Sequence, residues 1–169
     1  MAAKKYYRNL LGKITELAAT IVSAGAANEG DIVALDAGGK LDVSVMPTGI
    51  GADTASIPAS ENLAAGDLIN IWNDAGTTKV RKADATSAGK EAMGFVKAVV
   101  TSPANASVYF EGDNSGLTGL VGGVLYLSTT AGQTTSTAPS GSGNVIQIVG
   151  FTTSATAMNF QSGTPYYLA

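Results

Sequence analysis

Near the start of the chain the apolar residues Tyr7, Leu10, Ile14, Leu17 and Ile21 are spaced three, four, three and four apart. That is the a/d rhythm of a helix packed against a partner, and it predicts a helix over residues 4–24 that ends near Gly25. Leu11, Ala18 and Val22 widen the apolar surface beyond one seam, which suits a helix enclosed on more than one side. An isolated helix of this length is marginal in water, so this one either packs on its own β-domain or serves docking or oligomerisation.

Two short apolar runs follow, Ile32-Val33-Ala34-Leu35 and Leu41-Asp42-Val43-Ser44-Val45, separated by Asp36-Ala37-Gly38-Gly39-Lys40. The turn between β-rich runs predicts a hairpin or an extended arm. Met46-Pro47-Thr48-Gly49-Ile50-Gly51 stops any ladder, because proline lacks a donor and glycine loosens the backbone. Residues 1–25 are thus an amphipathic helix and 26–56 an arm or connector.

From residue 57 to 169 the pattern changes to short β-rich runs with turn signals between them: Leu68 to Trp72, Thr78 to Lys82, Met93 to Val100, Ser107 to Glu111, Val124 to Leu127, Asn144 to Thr152 and Ala157 to Gln161. This predicts a mainly β fold, a small barrel or sandwich. A shift of 56 residues places Gly66 on Gly122, Ala75-Gly76 on Ala131-Gly132 and Gly94-Phe95 on Gly150-Phe151, with Leu68, Ile69 and Ile71 on Val124, Leu125 and Leu127. Two pseudo-repeated halves, about 63–112 and 119–169, are expected to face one another and close off exposed edges.

Composition sharpens this. The chain has 169 residues, enough to bury a core without metal or cross-link, and carries no cysteine and no histidine. Thiolate nucleophiles, Cys-ligated zinc and the commonest general base are therefore missing. All charged side chains lie before residue 114, and Asn114 to Ala169 contains none. Thr, Ser, Gly, Asn and Gln interrupt every apolar run in that tail, so no membrane span is expected. Nor is an export signal, because Asn9, Gly12, Lys13, Thr15 and Glu16 break the run after Lys4, Lys5 and Arg8. The net charge of −3 argues against nucleic acid as a partner, since phosphate contacts need clustered Lys and Arg.

No catalytic constellation emerges. Gly116, Gly119, Gly122 and Gly123 precede a strand and lack the following helix of a phosphate loop, so they read as turn residues. Asp31, Asp36, Asp42, Asp53, Glu61, Asp67 and Asp74 are dispersed, which nominates neither a glycosidase pair nor a calcium loop. Lys79 and Arg81 alternate on a strand as edge-guarding charges, and the lone Trp72 reads as a core or interface anchor before a sugar platform. No cofactor and no metal are expected.

Gly30-Asp31-Ile32-Val33-Ala34-Leu35-Asp36-Ala37-Gly38-Gly39-Lys40-Leu41-Asp42, running on to Met46-Pro47, resembles a segment of virion structural proteins of tailed bacteriophages. So do Leu63-Ala64-Ala65-Gly66-Asp67, Val80-Arg81-Lys82-Ala83-Asp84-Ala85, Gly94-Phe95-Val96, Leu125-Tyr126-Leu127-Ser128 and Val149-Gly150. The likeness covers most of residues 29–169 and is similar above all to capsid decoration, or cement, proteins, with head-fibre and tail-fibre modules also similar. The resemblance implies a non-enzymatic homo-oligomer, a trimer by family habit, that binds neighbouring major capsid proteins on the virion surface after synthesis in the bacterial cytoplasm. The alternative is a tail-fibre module that recognises host glycans. Candidate capsid-binding or oligomer residues are Tyr7, Leu10, Ile14, Leu17, Ile21, Met46 and Ile50, with Tyr166, Tyr167 and Leu168 at the uncharged end. That uncharged half is expected at subunit contacts, where hydroxyls can pair and buried charge would be costly.

Overall fold

Among the described residues no helix forms at the start of the chain. In the computed structural model, which describes residues 4–46 and 52–169, β1 (Lys5–Leu10) and β2 (Lys13–Ala18) make an antiparallel hairpin with Lys5 opposite Ala18 and Leu10 opposite Lys13. The reversal is made by Leu11 and Gly12, both at positive φ (50° and 82°), and Asn9 Oδ1 accepts the Gly12 N–H at 3.0 Å. Two left-handed residues match the twist of paired strands, so this turn favours a hairpin over helix propagation. The period of two splits the expected seam: Tyr7 and Ile14 lie on one face, Leu10 and Leu17 on the other.

The residues read as a hairpin or an extended arm form local turns and bridges. Thr20 bridges Val33, Ser23 donates its N–H to Ser44 Oγ at 2.8 Å, and Arg8 reaches the Gly30 carbonyl. Asp36 Oδ1 accepts the N–H groups of Gly38 and Lys40, which fixes the Gly-Gly turn, and Val43–Val45 form one 3-10 turn capped by Asp42. The hairpin and these turns belong to a unit spanning Met1–Gly51, and the rest of the chain, Ala52–Ala169, forms a second unit. Ile50 and its neighbours in the Pro47–Gly51 breaker lie outside the described residues.

The second unit is built twice. Its first sheet contains β3 (Thr54–Pro58), β4 (Leu68–Asp74), β5 (Thr77–Lys82), β6 (Gly94–Val96) and β7 (Asn105–Tyr109), in the order β3-β7-β6-β4-β5. Its second contains β8 (Glu111–Asn114), β9 (Val124–Leu127), β10 (Thr134–Thr135), β12 (Ile148–Ser154) and β13 (Ala157–Gln161), in the order β8-β13-β12-β9-β10. Counted from its own first strand, each sheet runs 1-5-4-2-3, entirely antiparallel. Two further strands, β11 (Val145–Ile146) and β14 (Tyr166–Tyr167), pair separately. Each large sheet keeps two edges, so the described residues form a sandwich and no closed barrel.

The shared Gly-Phe step has a steric cause. A Cβ on Gly94 would sit 2.7 Å from the Tyr109 carbonyl oxygen, and one on Gly150 only 2.0 Å from that of Asn159. Tyr109 and Asn159 are the residues paired with Phe95 and Phe151, so both glycines let the same neighbouring strand come close. Strand register repeats as well: Leu68 pairs with Phe95 and Ile69 with Gly94, as Val124 pairs with Phe151 and Leu125 with Gly150.

Two apolar clusters hold this unit. Leu68, Phe95 and partly buried Tyr109 from the first sheet meet Leu125, Leu127, Val149, Met158 and Phe160 from the second, with Phe95 and Phe160 ring centroids 5.5 Å apart. The reverse face of the first sheet, Ile69, Val80, Val96 and Val108, is covered by Ala59, Leu63 and Val100. Alternation along each strand sorts side chains between the two faces.

Candidate functional site

The first unit presents an apolar surface rather than a core. Among the described residues no side chain before Ala59 is buried, whereas twelve large apolar ones between Tyr7 and Met46 are exposed. Ile14 is 78% and Tyr7 72% exposed, and Leu10, Ile21 and Met46 are also at the surface, with Leu17 half-buried. Hydrogen bonds take the place of a core. The Glu16 carboxylate accepts from Lys5 Nζ and from Tyr7 Oη (3.0 Å), and these partners, Lys5 foremost, hold its pKa below the ordinary carboxylate value. Asp31 accepts from Thr20 Oγ1 at 2.7 Å and Asn28 Nδ2 at 2.9 Å, which lower its pKa in the same way. The Tyr6 hydroxyl is enclosed with no hydrogen-bond partner.

Thr20, Ser23, Asn28, Asp31, Val33 and Met46 line a hollow of about 360 Å³. The polar groups in it are already bonded to one another, so it offers a shaped surface and no poised acid or base. The five basic and five acidic residues of 1–51 balance. Such a neutral surface with protruding apolar side chains suits contact with another protein.

The C-terminal candidates lie in the other unit. Tyr166 and Tyr167 occupy β14 opposite Ile146 and Val145, and both are exposed. Leu168 is fixed by its backbone, donating to the Asn144 carbonyl and accepting from the Gly143 N–H. Tyr167 Oη donates to Glu91 at 3.0 Å, which raises the phenol pKa. Burial acts to raise the Glu91 carboxyl, but the Gly89 N–H, its own N–H and Tyr167 outweigh it and leave the pKa below the ordinary value.

Other groups singled out by sequence prove structural. Arg81 lies over the Trp72 ring, 4.7 Å from its centroid, and Trp72 Nε1 donates to Ser60 Oγ, so one ring face is occupied. Lys79 pairs with Asp74, Lys82 with Asp67 and Lys90 with Asp84. No three acidic residues gather into a metal-binding group among the described residues, and no helix there is long and apolar enough to cross a membrane.

Sequence reasoning passed over Gln147. Its amide is buried and brackets Ala92 of the other half: Oε1 accepts the Ala92 N–H at 2.8 Å while Nε2 donates to the Ala92 carbonyl at 2.9 Å, and also to the Gly163 carbonyl of its own half at 3.1 Å. The only signal was its alignment with Glu91 under the 56-residue shift. Comparison of the chain with protein families, with curated proteins and with solved structures finds no match.

Proposed function

We propose that the protein is a non-enzymatic virion component that decorates the outside of a bacteriophage capsid, its first unit docking on neighbouring major capsid proteins and its β-domain building the oligomer. The observation that carries this reading is the run from Tyr7 to Met46, in which the large apolar side chains stand at the surface and none is buried. Exposed apolar area on this scale marks a contact surface. The phage-protein resemblance of residues 29–169 supplies the partner. Many copies, each with a modest interface, would hold a shell together through multivalency.

The test adds full-length protein to purified heads that lack it and counts copies per particle by densitometry. Wild type is expected to saturate the heads at hundreds of copies, and Ile14→Glu with Val43→Glu to lose binding while the β-domain stays folded by circular dichroism. Absence of wild-type binding, or undiminished binding by the variant, overturns the reading.

A further inference from the structure

In the β-domain the front of the first sheet, Leu68 and Phe95, packs on the back of the second, Leu125 and Val149, so one front is left over. In the first sheet the cross-strand pair Leu68 and Phe95 is fully buried, because the second sheet lies over it. The equivalent pair in the second sheet, Val124 and Phe151, is 47% and 48% exposed. Ile148, paired with Tyr126 on the same face, is 48% exposed. A half-exposed Phe surrounded by Val and Ile is not what a water-facing sheet surface requires.

We propose that this face, centred on Val124, Ile148 and Phe151, is a self-association surface covered by a second copy of the chain. The occupant follows from the repeat: what covers the same face of the first sheet is another sheet of this same kind. The reverse face of the first sheet is already filled by Ala59, Leu63 and Val100. A second copy therefore offers no open sheet back to this face, and copies meet through like faces in a closed dimer.

The missing charges fit this arrangement. Strands β9, β10 and β12 carry no ionisable group apart from Tyr126, so identical faces approach without repulsion or stranded ions. On this sheet the acids Asp113 and Glu111 lie on edge strand β8 beyond Asn159 and Gln161, where a contact has its polar rim.

This deepens the reading of the β-domain as the oligomer-building part and is independent of capsid attachment. Light scattering of the full chain in the absence of heads tests it. A dimer is expected, with a dissociation constant of roughly micromolar order. Phe151→Glu and Val124→Lys should each weaken association about 100-fold, since each strands a charge in the contact. Both side chains face water in the lone chain, so each variant should keep its unfolding midpoint when measured dilute. A wild-type protein that is still monomeric at about 100 μM overturns the proposal, as does an oligomer whose mass neither substitution changes. Head binding by a monomeric protein would sink this inference alone.

Discussion

Phe95 and Phe151 occupy the same place in two sheets of the same topology, follow the same obligatory glycine, and meet opposite fates. Phe95 is sealed between the sheets, whereas Phe151 is half in water. The same contrast recurs at Glu91 and Gln147, which the repeat also superposes in sequence. Glu91 sits at the rim and needs only donors around it, so a carboxylate serves. Gln147 is buried and must accept from one end and donate from the other, which an ionised Glu cannot do. An uncharged side chain is thus required at 147 by burial, and the proposed self-contact would disfavour charge on the face of Val124 and Phe151.

The sharpest way to break the comparison is to truncate both phenylalanines. Phe95→Ala should cost about 3–5 kcal/mol in urea unfolding, the usual range for an aromatic ring lost from a filled core. Phe151→Ala, measured dilute, should cost less than about 1 kcal/mol. Equal losses would mean that the second sheet's outer face is closed within the monomer.

Next in size is Gln147→Glu, expected to cost about 2–4 kcal/mol at neutral pH, because a carboxylate cannot donate to the Ala92 and Gly163 carbonyls and loses its own hydration. Burial raises the folded pKa of such a carboxyl above its ordinary value of about 4.3. The penalty is therefore absent below that value and grows as pH rises towards the folded pKa. A pH-independent loss would put the amide's role down to shape alone.

Much of the fold is legible in the chain, and the misses have definite causes. Strands β9 and β13 fall where alternating Val, Leu, Tyr, Met and Phe place them, and β4 and β5 within two residues. The first hairpin was hidden because apolar spacing of three and four also fits two strands read across a turn. Its signal was local: Asn9-Leu10-Leu11-Gly12 matches Asn73-Asp74-Ala75-Gly76, where Asn73 Oδ1 again accepts the glycine N–H and Ala75 and Gly76 take the same left-handed conformation. Of the candidate surfaces, the apolar positions from Tyr7 to Met46 could be found by residue type. Val124, Ile148 and Phe151 could not, since Val124-Leu125-Tyr126-Leu127 is apolar on both faces and periodicity does not say which face its own chain covers.

A smaller difference separates the loops before each Gly-Phe step. In the first half burial acts to raise the carboxyls of Asp84 and Glu91, but Thr86 and Lys90 at the one and Gly89 and Tyr167 at the other hold both below their ordinary values. The stability these groups supply is present above the ordinary carboxylate range, about pH 4, and is lost as pH falls through the lowered values. The aligned residues in the second half, Ser140 and Gln147, do not titrate. On acidification, amide protection relative to the intrinsic exchange rate should therefore fall at 84–91 before 140–147, and simultaneous loosening of both loops would contradict this.

The smallest effect concerns the bond that joins the halves at the chain's end, Tyr167 Oη to Glu91. It needs a neutral phenol and an ionised carboxylate, so it contributes within a window. Because Glu91 raises the Tyr167 pKa, the contribution holds below the free tyrosine value of about 10 and disappears as pH climbs through the raised one. At the acid end it disappears as Glu91 takes up its proton. Tyr167→Phe should move the Glu91 titration upward, towards an ordinary glutamate, when followed by NMR of the side-chain carboxyl, with little change in the unfolding midpoint because both groups are largely in water. An unmoved Glu91 titration would assign its lowered pKa to the Gly89 and Glu91 backbone N–H groups with Arg81, and would leave β14 held by backbone hydrogen bonds, its pairing with Val145 and Ile146 and those of Leu168 with Gly143 and Asn144.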